Sequence, residues 1–289
     1  MTQPSAVHPA VACEGVVHAN HAVSSGLLRI DADLDTEVGF SPGQFAMLNF
    51  TGGKTLVFSR PFSIYAAQGR RVSFLYRIVG RGTALMADLK PGDPLSFLGP
   101  LGRPFAAPDP DVPAVLIAGG VGLPPLAAWQ ERYGRPGDRA FFGARDPADV
   151  PWDLLDNDWH VSVDRMDAVP AGREAWEGLV TDLVARREGT ADSNPRVVLS
   201  CGPLPLLKAA SRLAADRGWD CWLSLEEHMG CGYGVCKGCV VPVHDPAAAP
   251  DRWRNATSCQ EGPVFNARDI AWERHPSETV PSLPGTERG

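Results

Sequence analysis

Ala114-Val115-Leu116-Ile117-Ala118 runs straight into Gly119-Gly120-Val121-Gly122-Leu123-Pro124-Pro125. Five apolar residues in a row, closed by glycine, predict a strand buried on both faces. The residues after them predict a helix over 124–133, with Pro124 suited to the first turn. Strand, glycine turn and helix in that order make one unit of a parallel α/β sheet. Further units follow downstream, with strands expected at 139–143, 159–163, 196–200 and 222–225 and helices at 179–187 and 204–217. The stretch 222–225 is the expected last strand. Open α/β sheets bind ligands at the carboxyl ends of their strands, which singles out Gly119, Gly120 and Gly122, and Cys201 in Ser200-Cys201-Gly202-Pro203. The glycine loop lacks the third glycine of G-x-G-x-x-G. A dinucleotide loop and a ligand-free crossover turn both remain open, and Cys201 reads either as a core thiol or as a wall facing a nicotinamide.

Upstream the rhythm is different. Short stretches at 27–32, 45–50, 62–66, 72–79 and 94–98, broken by turn residues, predict an all-β region from Gly15 to about Pro100. Val72, Phe74, Tyr76 and Ile78 alternate onto one face, as in a small closed barrel. Pro108-Asp109-Pro110-Asp111 ends this region as a linker. Two features in it carry chemistry. Arg60-Pro61-Phe62-Ser63 is either a Pro-led edge strand with a surface cation or a flavin site, with Arg60 for phosphate and Ser63 near the reactive ring edge. Gly80-Arg81-Gly82-Thr83 is either a plain turn or an anion pocket at the start of a helix over 83–89, with Thr83 as its N-cap. Both in one small barrel favour a flavin dinucleotide whose pyrophosphate lies on the Gly80–Thr83 turn.

Downstream of the sheet, Cys231, Cys236, Cys239 and Cys259 are spaced C-x4-C-x2-C followed by a distant cysteine, as in plant-type 2Fe-2S ligation. The loop Met229-Gly230-Cys231-Gly232-Tyr233-Gly234-Val235-Cys236-Lys237-Gly238-Cys239 places glycine where amides must approach sulfur. Zinc ribbons usually pair two C-x2-C knuckles or mix Cys with His, and only one such knuckle is present. Disulfides belong to secreted chains. The first twelve residues show no basic segment leading into an apolar core, so a reduced, cytoplasmic setting is expected. Cys13, Cys201 and Cys221 then read as small buried hydrophobes.

The bulk numbers agree with an ordered multidomain chain. At 289 residues and 44% hydrophobic, with 30 glycines and 27 prolines, it can form two domains and a small module. A formal charge of −7, from 27 basic and 34 acidic residues, argues against a general nucleic-acid binder. No apolar run reaches membrane-spanning length. Glu227 and His228 read as a solvated pair or a proton relay, the eight tryptophans as core or interface fillers, and no hydrolase constellation is evident. The predicted fold class is α+β multidomain. It comprises a flavin-binding antiparallel barrel (1–108), a parallel-sheet nucleotide-binding domain (109–222), a 2Fe-2S module (223–272) and a disordered tail (273–289).

Taken in order, these motifs resemble the ferredoxin-reductase superfamily. The run Ser224-Leu225-Glu226-Glu227-His228-Met229-Gly230-Cys231, continuing to Pro242, with Cys259-Gln260-Glu261-Gly262-Pro263-Val264-Phe265, narrows this further. It is similar to the electron-transfer subunits of B-type dihydroorotate dehydrogenases. The resemblance spans about Gly15 to Trp272. It implies FAD in the barrel, contacted by Arg60, Pro61, Phe62, Ser63, Gly80, Gly82 and Thr83. It implies NAD at Gly119, Gly120, Gly122 and Cys201, and iron on Cys231, Cys236, Cys239 and Cys259. The implied partner is an FMN-containing catalytic subunit, joined in a heterotetramer, which oxidises dihydroorotate in pyrimidine biosynthesis while this chain binds no orotate. Electrons would cross the cluster singly and reach NAD from FAD as hydride. The nineteen residues between Cys239 and Cys259, which include Pro246-Ala247-Ala248-Ala249-Pro250, are longer than the resemblance leads one to expect. Two rival readings are a reductase component of an oxygenase or hydrogenase-type complex and a zinc-stabilised regulatory nucleotide-binding module. Arg145, after the second strand of the sheet, is a candidate for meeting a 2′-phosphate.

Overall fold

The computed structural model describes residues 8–50, 58–156, 158–189, 195–245 and 252–275. Six strands come first: β1 (Val11–Ala22), β2 (Leu28–Leu34), β3 (Phe45–Phe50), β4 (Arg60–Gln68), β5 (Arg71–Tyr76) and, after helix α1 (Arg81–Ala87), β6 (Pro94–Leu101). They close into an antiparallel barrel in the order β1-β2-β5-β4-β3-β6. Period-two alternation fills it. Val72, Phe74 and Tyr76 join Val17, Ile30, Leu34, Leu95 and Phe97 inside, while Leu75 points out into the core of the next domain. Fully burying such a side chain contributes about 1.5–3 kcal/mol.

Two expectations shift here. The strand expected over 72–79 stops at Tyr76, and Ile78 and Val79 are 51% and 76% exposed, so only its first three alternating residues are core. The helix begins at Arg81, and Thr83 is its third residue, not its N-cap. The Thr83 hydroxyl reaches back, accepting the Val79 and Gly80 amides at 2.9 and 3.2 Å and donating to the Gly80 carbonyl at 3.1 Å. A hydroxyl in that position closes the turn from within, as the third-residue side chain of a capping box does.

The second domain is built from β7 (Ala114–Gly119), α2 (Leu123–Tyr133), β8 (Arg139–Ala144), β9 (Trp159–Val163), β10 (Trp176–Glu177), α3 (Val180–Glu188), β11 (Val197–Cys201), α4 (Leu204–Asp216) and β12 (Asp220–Ser224). Strands β7 to β12 run parallel wherever they pair. α3 and α4 cover one face through Val180, Leu183, Val184, Leu207 and Ala210, and α2 covers the other through Leu123, Leu126 and Trp129.

The C-terminal module contains β13 (Val240–His244), β14 (Trp253–Thr257), α5 (Ser258–Glu261) and β15 (Val264–Asn266). β12 is not the last strand of the sheet. β15 adds to it antiparallel, through Trp222↔Asn266, Leu223↔Phe265 and Ser224↔Val264, giving the order β10-β9-β8-β7-β11-β12-β15. The module thereby covers an edge whose unpaired amides and buried Leu223 would otherwise face water. Trp272–Arg274 forms a 3-10 turn and His275 is buried. The remainder of the expected tail, 276–289, and the Pro246–Pro250 stretch lie outside the described residues. Among the described residues no helix is long and apolar enough to cross a membrane.

Candidate functional site

The four cysteines come together as two pairs, by two routes. Cys231 and Cys236 sit on the glycine loop, where Gly232 and Gly234 take φ of 82° and 88° and Lys237 also lies in the left-handed region at 56°. That path turns amides inward: the Cys236 N–H donates to Cys231 Sγ at 3.4 Å. Cys239 immediately precedes β13 and Cys259 follows β14 by one residue, so the hairpin register Val240↔Thr257 brings these two together across nineteen residues of sequence. The Ser258 N–H donates to the Cys239 carbonyl at 2.7 Å and the Cys259 N–H to Cys239 Sγ at 3.4 Å. The long separation is therefore a hairpin, whatever its tip contains.

The result is two thiol pairs of unlike environment. Cys239 and Cys259 are 2% and 3% exposed, Cys231 is half-buried and Cys236 exposed. Burial pushes the Cys231 thiol up, but amides of Cys236, Tyr233 and Val235 and the Cys236 side chain outweigh it and bring the thiol down to about 6. Burial, with the neighbouring Cys239, pushes Cys259 up to about 12. Gln260 ties the routes together, donating to the Tyr233 carbonyl at 3.3 Å and accepting from Lys237 Nζ at 3.4 Å. Gly234 holds its left-handed φ of 88° directly beneath the Gln260 amide, a conformation that favours glycine. Among the described residues no three His, Cys, Asp or Glu side chains gather closely enough to hold a metal ion, and the cysteines stand as two pairs. In each pair a backbone amide donates to a cysteine sulfur.

A cleft of about 300 Å³ opens between barrel and sheet. Arg60, Pro61, Phe62 and Ser63 of β4 line one side with Tyr76 and Thr83. Cys201, Ser224, Leu225 and Glu226 line the other, and Met229 leads from it toward the cysteine loop. Gly82 lies beneath Arg60, where a Cβ would come 2.8 Å from the guanidinium Nε. Gly80 faces open space. Arg60 also donates to the Phe58 carbonyl. Burial, reinforced by the Glu226 charge, pushes the Cys201 thiol far up against hydrogen bonds from Ser224 and Gly202, so it stays protonated. Glu226 is exposed to the cleft yet walled closely enough that desolvation raises its carboxyl. Glu227 does not pair with His228. It meets His275 at 3.0 Å, while His228 is exposed.

A second cleft of about 280 Å³ lies at the carboxyl ends of β7, β8, β9 and β11. Gly119, Gly120 and Val121 line it with Arg145, Asp164, Thr181 and Pro203. Gly120 has φ +52° and faces open space. Gly122 does not reach the cleft: a Cβ there would collide with the backbone of Cys201 and Gly202. Arg77 and Val121 border both clefts, which therefore adjoin. Arg77, Asp164, Phe45, Met229 and Gln260 were not singled out from spacing. Arg77, Asp164 and Phe45 lie outside the motifs they serve, and Met229 and Gln260, though beside cysteines, carry no spacing that marks them.

The description "Iron-sulfur cluster binding domain of dihydroorotate dehydrogenase B" matches residues 226–271. Relatives named dihydroorotate dehydrogenase B (NAD(+)), electron transfer subunit, include one from Bacillus velezensis, 34% identical with 80% of this chain and 87% of the relative covered. Another, from Geobacillus kaustophilus, is 33% identical with 79% and 86% covered. Among solved structures, a chain of the NADH-dependent reduced ferredoxin-NADP oxidoreductase superposes with a TM-score of 0.71 at 20% identity, covering 91% of each chain. The ferredoxin reductase of carbazole 1,9a-dioxygenase superposes with a TM-score of 0.62 at 25% identity, covering 73% of this chain and 67% of that one.

Proposed function

The chain belongs to the family of dihydroorotate dehydrogenase B electron-transfer subunits, and from that premise we propose how its residues divide the work with an FMN-containing catalytic subunit in a heterotetramer. It is an oxidoreductase subunit that uses FAD, an iron-sulfur cluster and NAD. Together these groups supply hydride chemistry at one end and single-electron chemistry at the other. The observation that carries the assignment of residues is serial adjacency: the nucleotide cleft meets the barrel cleft at Val121 and Arg77, and the barrel cleft meets the cysteines at Phe45 and Met229.

Arg60 presents its guanidinium beside Gly82 to hold phosphate, and the missing Cβ leaves the approach open. Phe62 and Ser63 form the ring-side wall with Tyr76. Gly120 lets the nucleotide backbone approach the sheet, and Cys201, kept as a neutral thiol, closes the floor without placing a charge beside a hydride acceptor. Cys231, Cys236, Cys239 and Cys259 hold the irons, with inward amides stabilising sulfur charge. Oxidation of dihydroorotate falls to the partner.

Anaerobically purified protein is expected to contain about two irons and two acid-labile sulfides per chain, alongside flavin. It should oxidise NADH with artificial acceptors and form orotate only when the catalytic subunit is added. A colourless preparation holding zinc overturns the assignment, as does orotate formation by the chain alone.

A further inference from the structure

The barrel cleft and the cysteines are separated by a thin apolar wall. Phe45 of β3 and Met229 of the loop lead-in line the cleft. Both also belong to a small cluster with Cys239 and Cys259, completed by Met47, Leu98 and Leu101. Phe45 is 3% exposed, and the two sulfurs behind it are as deeply buried. The other thiol pair looks outward: Cys236 is exposed, and the loop tips beside it, Tyr233 and Val235, are 51% and 73% exposed.

We propose that Phe45 and Met229 are the positioning residues that couple the flavin cleft to the Cys239–Cys259 pair, which makes this pair the flavin-side face of the iron site and Cys231–Cys236 its outward face. The inference rests on the functional reading above. With both groups bound, the wall would set the separation across which flavin and iron exchange electrons singly, with no atom transferred. A wall packed at protein density holds both sides at a fixed separation and keeps water out. A void in it would strip contacts from the atoms lining it and let that separation drift. An aromatic ring and a thioether suit the place, being polarisable, apolar and able to fill an irregular gap against sulfur. Met229 is well placed because it precedes the cysteine loop by two residues, so packing it fixes where the loop starts.

The test uses protein loaded with flavin and cluster, mixed anaerobically with NADH, with flavin bleaching and the electron-paramagnetic signal of the reduced cluster followed separately. In Phe45→Ala and Met229→Ala, with each trace normalised to that variant's own flavin and iron content, the cluster signal is expected to lag flavin bleaching severalfold more than in the unaltered chain. Met229→Leu, which conserves volume, should restore the timing. If Phe45→Ala fails to load, Phe45→Leu carries the same comparison. Cluster signals that rise in step with bleaching in both alanine variants overturn the proposal, and so does a lag that Met229→Leu fails to repair. Absence of flavin and iron from the unaltered chain would instead remove the functional reading beneath it.

Discussion

Gly122 is pressed against Cys201: a β-carbon on the glycine would stand 2.2 Å from the cysteine's carbonyl oxygen. Its backbone angles, φ −77° and ψ 0°, need no glycine, so the residue is required for space alone. Gly122→Ala should therefore cost about 1–3 kcal/mol, the usual range for overpacking. Because Cys201 floors the barrel cleft, flavin content should fall along with Tm. Thermal melts and flavin absorbance of the purified variant read both, and an unchanged Tm would show that the loop can yield.

Gly120, two residues earlier, presents the opposite case. Nothing lies within 4 Å of its would-be β-carbon, but φ is +52°. Alanine there pays a left-handed penalty of about 1–2 kcal/mol and projects a methyl into the nucleotide cleft. The expected outcome is a raised KM for NADH with flavin content unaltered, measured by steady-state NADH oxidation with an artificial acceptor. Loss of flavin would place Gly120 on the wrong side of the junction.

These two glycines show what could be read from sequence and what could not. The strand before them, the helix after them and the ligand-facing position of the turn follow from local apolar patterning. Which glycine faces the ligand depends on β11 arriving alongside, and β11 is about 80 residues away. Five of the barrel's six strands were similarly legible; β1, with Glu14, His18 and Asn20 among its apolar residues, was not, nor was the antiparallel addition of β15, because a three-residue strand carries too little pattern. That the Cys239–Cys259 interval is spanned by a hairpin was not legible, because the register of β13 on β14 is set by pairing across it. Thr83 was recognised as a capping residue and misplaced by three positions, since a hydroxyl can close a turn from either side.

His160 on β9 is held neutral by burial, helped by Arg187 and Arg139, so its pKa lies below the ordinary 6.5. As pH falls below 6.5 the unfolded chain takes up the proton first, and stability declines until the folded-state pKa is passed. His8 is shifted in the same direction and adds to the slope. The urea midpoint should be lower at pH 5.5 than at pH 7.5, by less in His160→Gln than in the unaltered chain. Equal slopes in the two proteins would remove His160 from the account.

Arg145 and Asp164 meet at the ends of β8 and β9, where the Asp164 N–H donates to the Arg145 carbonyl at 3.2 Å and both residues line the nucleotide cleft. Their neighbours Asp146 and Arg165 satisfy each other at 2.9 Å. A carboxylate at such a strand end accepts ribose hydroxyls and repels a 2′-phosphate, whereas a guanidinium welcomes one. Asp164→Asn should raise affinity for 2′,5′-ADP relative to 5′-AMP by about tenfold, equivalent to about 1.4 kcal/mol, and adding Arg145→Gln should cancel the gain. Calorimetric titration of both nucleotides decides it. Unchanged ratios would mean that the ribose lies elsewhere.

Cys236 is the exposed member of the outward thiol pair, and no residue of the Gly230–Lys237 loop lines the barrel cleft. Cys236→Ser should accordingly lose iron and acid-labile sulfide while flavin content and NADH-driven flavin bleaching persist. The buried pair is a different matter. Cys239 and Cys259 pack with Phe45 and Met47 of the barrel, so a polar hydroxyl at Cys259 puts an extra demand on a dry contact, and buried polar groups without partners cost about 1–3 kcal/mol. Cys259→Ser should lose the iron and also lower Tm. Iron analysis, flavin absorbance and melting curves of the two variants separate the cases. Equal stability would show that the inner pair is no more tightly built into the fold than the outer one.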